Sequence, residues 1–396
     1  MPDGSFSPAS GLRVGVVALG GLGGSGRVAH DVACGLAMRG HVAMSLTCSG
    51  CQFGPEVSTW VRHVPVRAPR TPRPAADGWV LELAEDLERA VLEHGLSVLS
   101  VHYGVGLAEA AVIACQRLRR RGTSIRLTVT LHGTDVTDLP RDPEQAHRLC
   151  AALREADEVT AVSDWLADVA CETLALGGRP RVIENGIDTS LFRPSTQTPA
   201  RRQSKLVYAS NFRPVKRPLD AVALLSALRA HGHDARLEMI GDGPLRGAAK
   251  ALTRTLGCEE HIDFVDPLAQ VELAERLRGA DVAVVTSESE SFGLFALESM
   301  ASGLLLAGWQ CPGLLATLRG EPGLGEALLA PLGDEAGFVA RVERMLMDPK
   351  HRRELSARCL RLGRTRFSRI RSLSSYERLF EVARKEPYSW PRDARI

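Results

Sequence analysis

Short apolar runs rich in β-branched residues alternate with longer amphipathic stretches from one end of the chain to the other. This alternation is typical of a parallel sheet covered by helices, because a strand buried on both faces is apolar throughout, whereas its crossover helix is apolar on one side. One helical stretch has apolar residues at i, i+3, i+4 and i+7, namely Val80, Leu83, Ala84 and Leu87. The pattern therefore predicts an α/β protein.

The apolar runs predict strands in both halves of the chain. In the first half they lie near residues 13–18, 42–46, 98–102, 125–131, 159–162 and 182–183. In the second half they lie near residues 206–210, 237–240, 262–265, 282–286 and 304–307, and residues 367–385 have the spacing of a final helix. Because the pattern restarts in the second half, we predict two Rossmann-like domains.

Two segments lack apolar periodicity and are predicted to be connections. Residues 189–202 are rich in Ser, Thr, Pro, Gln and Arg, which is the composition of an interdomain linker. Residues 65–74 intersperse proline with arginine and are predicted to form an extended loop. We accordingly place an N-terminal domain at residues 1–190 and a C-terminal domain at residues 203–372.

The composition narrows the class of protein. A length of 396 residues suits two domains, and no apolar run reaches the roughly 18 residues that a membrane-spanning helix needs. The net charge of +2 argues against a nucleic-acid-binding protein, which usually has a basic face. Residues 1–10 lack the pattern of a secretion signal, and the nine cysteines are scattered and odd in number, which favours reduced thiols. We expect a cytoplasmic protein without nucleic-acid or membrane partners, and the isolated pair Cys48 and Cys51 gives little support for a zinc or redox role.

A glycine-rich turn, Gly20-Gly21-Leu22-Gly23-Gly24-Ser25-Gly26, follows the first predicted strand. Glycines at such a turn let a ligand approach the backbone, and the next helix, predicted to begin near Val28, offers free N–H groups to an anion. A dinucleotide site would also place an acidic residue at the end of the second strand. That strand ends in Ser45-Leu46-Thr47-Cys48, which disfavours a dehydrogenase.

Histidines lie at the ends of two predicted strands, where open α/β sheets bind their ligands. His132 lies in the segment Thr130-Leu131-His132-Gly133-Thr134-Asp135, and His102 ends another strand. A ligand-binding role and a simpler role as a hydrogen-bonded histidine in a turn both fit His132. The role of His102 is more ambiguous still.

Two cations, Arg213 and Lys216, follow the first strand of the second half within Ser210-Asn211-Phe212-Arg213-Pro214-Val215-Lys216-Arg217. At the edge of a sheet they can neutralise a diphosphate, the arginine as a fork and the lysine as a point charge. A solvated basic turn is the alternative interpretation. The segment Met239-Ile240-Gly241-Asp242-Gly243-Pro244 is another strand that ends in a glycine turn.

Glu290 and Glu298 are separated by seven residues in a segment that runs from a loop into a predicted helix. If the helix is continuous, about two turns separate them and they can share one face. Glu298 can then accept hydrogen bonds from ribose hydroxyls, while the N–H groups after Glu290 face a phosphate or a sugar. Two ordinary surface glutamates are the alternative.

Taken in order, these segments resemble glycosyltransferase family 4, and within it the enzymes that begin low-molecular-weight thiol biosynthesis by glycosylating malate. The resemblance spans nearly the whole chain and rests on residues 23–26, 101–103, 130–135, 162–163, 184–188, 210–217, 241–244 and 290–298. It implies the GT-B fold, in which two Rossmann-like domains face each other across a cleft. It also implies that the last helix, within residues 373–396, packs back on the first domain.

The resemblance implies that the C-terminal domain binds the donor and the N-terminal domain binds the acceptor. The positions matching Arg213 and Lys216 would grip the donor diphosphate. Those matching Glu298, Glu290 and His132 would respectively hold the ribose, touch the donor sugar and lie near the bond being broken. Further donor contacts are implied for Gly24, Gly241, Phe292, Gly293 and Leu294, and acceptor contacts for Gly24, Ser25, His102, Tyr103 and Thr134.

The resemblance further implies a retaining reaction without a metal ion or a cofactor. The co-substrate would be a UDP- or GDP-sugar, the acceptor would be malate-like, a cyclitol or a small thiol, and the chain could form a homodimer. A leaving diphosphate carries its own charge and can accept the proton of the acceptor. The protein therefore has to position and neutralise groups rather than supply the two carboxylates of a glycosidase, and the catalytic residues implied are His132, Arg213, Lys216 and Glu290.

One segment departs from the pattern of the family. Beside the donor the family usually has Gly-Gly-x-Pro-Glu, whereas this chain has Gln310-Cys311-Pro312-Gly313-Leu314-Leu315-Ala316 and no acid. The departure leaves several alternatives open. They are an unusual donor, an S-glycosyltransferase of antibiotic biosynthesis that joins a sugar to a small thiol, an inverting transfer or a transfer to lipid or glycan, and an inactive or non-catalytic sugar-nucleotide-binding protein.

Overall fold

The structure is a computed structural model that describes residues 11–20, 24–48, 61–67, 77–138, 142–174, 176–196 and 203–385. These residues form two compact units. Unit 1 extends to Gly186 and resumes at Ile370, and unit 2 comprises Ile187–Arg369. Each unit is built around one parallel sheet.

Unit 1 contains a seven-stranded sheet in the order β3-β2-β1-β4-β5-β6-β7. Its strands are β1 (Arg13–Leu19), β2 (Val42–Cys48), β3 (Arg62–Val66), β4 (Val98–His102), β5 (Arg126–Leu131), β6 (Glu158–Ala161) and β7 (Arg181–Val182). Its helices are α1 (Gly24–Met38), α2 (Asp77–His94), α3 (Leu107–Arg120), α4 (Thr134–Thr137), α5 (Pro143–Glu155) and α6 (Asp164–Leu174). Every residue of β4 is buried, as expected for a central strand covered on both faces.

Unit 2 contains a six-stranded parallel sheet in the order β10-β9-β8-β11-β12-β13. Its strands are β8 (Ser204–Ala209), β9 (Ala235–Ile240), β10 (Ile262–Val265), β11 (Val282–Val285), β12 (Leu305–Trp309) and β13 (Leu329–Ala330). Its helices are α7 (Pro218–Ala230), α8 (Arg246–Thr255), α9 (Gln270–Arg278), α10 (Leu294–Ala301), α11 (Pro312–Leu318), α12 (Leu324–Leu328), α13 (Glu335–Met347) and α14 (Pro349–Thr365). The last helix, α15 (Arg369–Lys385), belongs to unit 1 from Ile370 onward.

The prediction of two Rossmann-like domains is confirmed. Counted from its own first strand, each sheet has the order 3-2-1-4-5-6 of a doubly wound nucleotide-binding fold, and unit 1 adds a seventh strand at one edge. In both sheets the direction of winding reverses beside the first strand, between β1 and β4 and between β8 and β11. These two reversals are where the fold leaves space for a ligand.

Two strands were not predicted, β3 and the two-residue β13. Proline at position 65 lies inside β3 and pairs in register with Thr47, so the predicted loop at residues 65–74 starts too early. β3 is the edge strand of its sheet, and an edge strand tolerates proline because the missing N–H can face away from the neighbouring strand. The helix α1 begins at Gly24, four residues before the predicted start near Val28.

Helix α15 packs on the sheet and helices of unit 1. The side chain of Leu373 lies so close to Gly35 of α1 that a methyl group at that glycine would overlap it. Glu377 forms an ion pair with Arg39, and its other carboxylate oxygen lies 3.1 Å from Nε2 of His41. The last helix therefore completes the core of unit 1 next to α1.

Several predictions concern residues outside the described ranges. They are the N-terminal residues 1–10, residues 21–23 of the glycine-rich turn, Cys51, residues 68–74 of the proline-rich loop, residues 197–202 of the linker and residues 386–396 of the C-terminal segment. Among the helices of the described ranges, none is both long and apolar enough to cross a membrane.

Candidate functional site

The predicted site residues lie at one edge of each sheet. Open α/β sheets bind ligands beyond the carboxyl ends of the strands that flank a reversal in strand order. In unit 1 the candidates follow β1, β4 and β5, and in unit 2 they follow β8, β9 and β11.

Two histidines contact each other at the edge of unit 1. Nδ1 of His102, at the end of β4, lies 3.0 Å from Nε2 of His132, which follows β5. His102 is 0% exposed, and its Nε2 lies 3.4 Å from the hydroxyl oxygen of Ser100. A ligand therefore has no direct access to His102 in this conformation, whereas His132 is half-buried.

Burial favours the neutral form of both imidazoles. It lowers the pKa of His132 to about 3. Burial and the nearby His132 together lower the pKa of His102 well below its ordinary value. At neutral pH each ring therefore has one donor and one acceptor nitrogen.

A carboxylate that was not singled out from the sequence joins the two loops of this edge. Asp135 is 0% exposed and accepts hydrogen bonds from the backbone N–H groups of Gly104 at 3.0 Å, His132 at 3.0 Å and Gly133 at 2.7 Å. Burial raises the pKa of Asp135, and these N–H donors oppose that shift. The available signal was an aspartate three residues after His132, a spacing that favours side-chain-to-backbone turns.

Two predicted acceptor-binding residues meet at the same edge. The hydroxyl of Tyr103 lies 3.2 Å from that of Thr134, the first residue of α4. Tyr103 has a φ of 85°, a left-handed conformation that costs free energy in a residue with a side chain and is found at functional sites. The remaining predicted residues of this unit, Gly24 and Ser25, form the start of α1 after β1.

At the edge of unit 2, the predicted cations occupy residues 212–217, which we call the cation turn. Lys216 ends the 3₁₀ turn Pro214–Lys216, and Arg213 immediately precedes it and is exposed. Phe212 and Arg217 at the two ends have left-handed φ values of 47° and 45°. The backbone of the cation turn is therefore held in a conformation that these residue types seldom adopt.

Hydroxyl groups from β8 and the end of β11 hold the backbone of the cation turn. The carbonyl oxygen of Lys216 accepts hydrogen bonds from the hydroxyls of Tyr208 at 3.1 Å and Thr286 at 2.9 Å. The hydroxyl of Ser210 donates to that of Tyr208 at 2.7 Å and accepts from the backbone N–H of Phe212 at 3.0 Å. Sequence interpretation missed these supporting hydroxyls, because no local pattern distinguishes them from ordinary strand residues.

Lys216 is paired with Glu290. The ammonium nitrogen of Lys216 lies 2.6 Å from Oε1 of Glu290, and the hydroxyl of Ser287 donates to the same oxygen at 2.7 Å. The structure thus brings together two predicted donor-site residues that are 74 positions apart in the chain. The contact leaves the carboxylate of Glu290 bonded to a cation and a hydroxyl.

Glu290 and Glu298 could share one face only if a continuous helix joined them, and the structure shows no such helix. Helix α10 begins at Leu294, so Glu290 lies in the preceding loop. The residue before the helix is Gly293, whose φ of 80° interrupts the helical backbone between the two glutamates. Glu298 is buried within α10.

Glycines let the loops of this edge pack backbone against backbone. A Cβ atom at Gly241 would overlap the carbonyl oxygen of Ser210, and one at Gly243 would overlap that of Asn211. Both glycines also have positive φ values, 121° and 154°. The loop after β9 therefore touches the loop after β8 at positions where only glycine fits.

The segment that departs from the family pattern lies next to Glu290. A Cβ atom at Gly313 would overlap the carbonyl oxygen of Glu290, and Cys311 is buried. Burial raises the pKa of the Cys311 thiol to about 11, and backbone N–H groups of Leu314 and Glu290 that donate to the sulfur oppose this shift. Gln310 turns its amide to the carbonyl oxygen of Leu329 at 3.3 Å. The sequence revealed the missing acid, but not that Cys311 contacts Glu290.

Phe292 and Leu294 are the remaining candidates for contact with the donor. Phe292 is buried, with its ring edge-on to that of Phe367 at 5.5 Å between ring centroids. Leu294 is the first residue of α10. Within the described ranges there is no cluster of three or more His, Cys, Asp or Glu side chains that could hold a metal ion.

Comparison with known protein families matches both halves of the chain. Residues 22–191 match the family model described as Glycosyltransferase Family 4, and residues 193–359 match the model described as Glycosyl transferases group 1. The two matches meet near residue 192, close to the limit between units 1 and 2.

Individual relatives extend this result. An N-acetyl-α-D-glucosaminyl L-malate synthase from Bacillus anthracis is 29% identical over 93% of this chain and 96% of its own length. A D-inositol 3-phosphate glycosyltransferase from Acidothermus cellulolyticus is 33% identical over 54% of this chain, and the match spans about half of that protein, 51%.

Solved structures share the fold at low identity. A sucrose-phosphate synthase from Thermosynechococcus elongatus superposes with a TM-score of 0.79 at 20% identity, covering 94% of this chain and 99% of that one. The Anabaena protein HepE, solved in complex with UDP-glucose, superposes with a TM-score of 0.76 at 15% identity and covers 94% of this chain and all of its own (100%).

Proposed function

This chain belongs to the family 4 glycosyltransferases, and from that membership we propose that it moves a sugar from a nucleotide diphosphate donor to a small polar acceptor. The proposed reaction retains the configuration of the sugar and needs no metal ion. The observation that supports the proposal is the cation turn, which follows β8 and brings Arg213 and Lys216 to one edge of unit 2. Two positive charges at this place suit a pyrophosphate group.

Unit 2 is the proposed donor-binding unit. Lys216 would stabilise the charge that grows on the leaving diphosphate, and Arg213 would bind the phosphate oxygens as a planar fork. The ion pair of Lys216 with Glu290 supports this role, because it shows how a negative group is held at that ammonium. The left-handed ends of the cation turn and its hydroxyl partners keep the backbone of Lys216 in place before a donor arrives.

The absence of a protein nucleophile is part of the proposal. Glu290 is the carboxylate at the centre of this edge, and its Oε1 already bonds to Lys216 and Ser287. A carboxylate engaged in this way is a weak nucleophile, because its charge is stabilised in the ground state. A leaving diphosphate can instead accept the acceptor's proton, which allows the acceptor to attack on the face that the diphosphate leaves.

Unit 1 is the proposed acceptor-binding unit. It offers the hydroxyls of Tyr103 and Thr134 and the neutral ring of His132, all suited to a small polar molecule. The relative that glycosylates L-malate matches almost the full length of both chains, which makes L-malate the first acceptor to test. Inositol phosphate is second because of the partial match to the inositol phosphate enzymes, and a small thiol is third because of the unusual segment around Cys311.

A mass-spectrometric screen tests the proposal. UDP- and GDP-sugars are each combined with L-malate, inositol phosphate and a small thiol, and the mass and linkage of any product identify the acceptor atom. We expect a product with the anomeric configuration of the donor, as measured by NMR, and equal rates with and without a chelator. Inversion of configuration, or activity lost on chelation and restored by a divalent metal ion, would contradict the corresponding part of the proposal.

Variants of the cation turn test its role in the same screen. Arg213→Ala and Lys216→Ala should each remove most of the activity, whereas Lys350→Ala, which removes an exposed cation elsewhere in unit 2, should not. Circular dichroism establishes that all three variants fold. Undiminished turnover in both Arg213→Ala and Lys216→Ala refutes the diphosphate-binding role. Binding of donors by calorimetry without turnover of any acceptor would favour a non-catalytic sugar-nucleotide-binding protein.

A further inference from the structure

We propose that His102 is a positioning residue, which holds the ring of His132 by one N–H···N hydrogen bond and confines it to the tautomer with a proton on Nδ1. The proposal rests on the proposed function, in which His132 lies beside the donor sugar. His132 would then present an N–H donor to an oxygen atom of the ligand. It would not act as a base through that nitrogen.

The imidazole rings of His102 and His132 contact each other. Nδ1 of His102 and Nε2 of His132 are 3.0 Å apart, and the ring planes are tilted by 36°. Between two neutral imidazoles, a hydrogen bond at this distance uses the proton of one ring and the lone pair of the other. The tautomer of His132 therefore depends on which ring donates.

The contact of His102 with Ser100 identifies which ring donates the hydrogen bond between the two histidines. Ser100 is 0% exposed, and its hydroxyl lies 3.4 Å from Nε2 of His102. A buried hydroxyl is costly if it does not donate. Within the described ranges, Nε2 of His102 is the side-chain partner of this hydroxyl. If Ser100 donates to Nε2, then the proton of His102 is on Nδ1, and His102 donates to Nε2 of His132. The proton of His132 is consequently on Nδ1.

The hydrogen bond from His102 controls the orientation of the His132 ring. The backbone N–H of His132 donates to Asp135, which also binds Gly104 and Gly133, so the backbone of the turn is fixed. Rotation of the side chain is the remaining freedom of His132. The hydrogen bond from His102 removes that freedom, and the ring centroid of Tyr376 from α15 lies 5.8 Å from that of His102. Because His102 is fully buried, it acts on a ligand through His132 alone.

Variants of His102 separate the hydrogen bond from packing. His102→Asn places an amide nitrogen near the position of the missing Nδ1, so it can still donate to His132. His102→Leu has a similar volume but no donor. Ser100→Ala removes the group that selects the tautomer of His102, and Thr160→Val is the matched control, because it removes a buried hydroxyl that bonds to Thr130 instead.

The readouts are nitrogen-15 NMR of labelled histidine, which reports the tautomer, and steady-state kinetics. In the wild type we expect His132 to be protonated on Nδ1. In His102→Leu we expect a mixture of tautomers and a kcat lower by about 10–100-fold, with a smaller change in KM for the donor. His102→Asn should restore the single tautomer and most of kcat, and Thr160→Val should leave both unchanged.

The proposal is overturned if His132 of the wild type is protonated on Nε2, or if His102→Leu keeps both the tautomer and kcat. If His102→Leu does not fold, His102→Asn and Ser100→Ala decide the question: loss of the single tautomer in His102→Asn contradicts the hydrogen bond from His102, and an unchanged tautomer in Ser100→Ala contradicts the role of Ser100 in selecting it. Failure of the proposed function looks different. In that case no acceptor is glycosylated or His132→Ala is fully active, while the NMR measurement still reports the tautomer that His102 imposes.

Discussion

The edges of unit 1 and unit 2 that carry the candidate site residues follow the same strand order but have different chemistry. In unit 1 the two imidazoles of the edge are neutral, because burial lowers the pKa values of His102 and of the half-buried His132. In unit 2 the groups are charged, as in the ion pair of Lys216 with Glu290, whose side chains are also half-buried. One architecture therefore supports a neutral hydrogen-bonding edge and a charged one.

The two edges also obtain their rigidity in different ways. Unit 1 uses hydrogen bonds to a buried side chain, because Asp135 collects backbone N–H groups from the loops after β4 and β5. Unit 2 uses direct contact of one loop backbone with another, because Gly241 and Gly243 lack the Cβ atoms that would collide with the loop after β8. The N–H and O–H donors of a neutral edge can bind the oxygen atoms of a small polar molecule, whereas a charged and preorganised edge suits a diphosphate.

The largest expected effect tests whether the charge of Lys216 acts on a ligand or only on Glu290. Lys216→Ala should lower kcat/KM by roughly 10²–10³-fold, about 3–4 kcal/mol, because a preorganised cation is lost where negative charge develops. It also leaves the charge of Glu290 without its cation. The variant Glu290→Gln removes that charge, so the double variant Lys216→Ala, Glu290→Gln should remain far below Glu290→Gln in a steady-state assay. Equal activity of these two variants would show that Lys216 only neutralises Glu290.

A smaller effect, on stability, tests the backbone contact in unit 2. Gly241→Ala combines an unfavourable φ with a Cβ atom that overlaps a carbonyl oxygen, so we expect it to lower the free energy of unfolding by about 3 kcal/mol in urea titrations. Gly232→Ala is the matched control. Its φ is 87° but no atom lies within 4 Å of the added carbon, so the cost should be about 1 kcal/mol. Equal losses in the two variants would mean that the contact between the loops contributes nothing.

The fold was predictable from the sequence because its signals are local. Buried parallel strands are apolar over short runs, and the glycine turn and the cations follow directly after such runs at β1 and β8. The exceptions have local causes as well. Proline at position 65 is unusual in a strand, so the sequence pattern did not predict β3. Gly293 interrupts the helix that the spacing of Glu290 and Glu298 had suggested.

The contacts within the site were not predictable, because they join distant parts of the chain. The bond between His102 and His132 links positions 30 apart, and that between Lys216 and Glu290 links positions 74 apart. A single sequence places each residue at a strand end, but it does not say which strand ends are neighbours. Strand order supplies that information, since β4 pairs with β5 and β8 with β11.

The smallest expected effect concerns acid, and it follows from the neutral histidines of unit 1. Burial lowers the pKa of His132 to about 3, and burial together with nearby His63 lowers that of His30 to about 4. The ordinary value in an unfolded chain is about 6.5. Because the folded-state pKa is the lower one, each histidine contributes stability that is fully present above pH 6.5 and is lost as the pH falls. Between pH 7.5 and 5.5 the loss should be about 1 kcal/mol for each of the two.

We expect unit 1 to lose more stability than unit 2 over the same range, because His30 and His132 both lie in unit 1. Hydrogen exchange of peptides from each unit, corrected for intrinsic exchange rates, compares the two directly. Burial raises the pKa of Asp135, so this group changes the stability of unit 1 in the opposite direction as the pH falls. The wild type is therefore compared with His30→Gln, which removes one titrating group and leaves Asp135 in place. The variant should lose less protection in unit 1 on acidification. The same loss in both proteins, or equal losses in both units, would mean that buried neutral histidines do not make unit 1 the more acid-sensitive half.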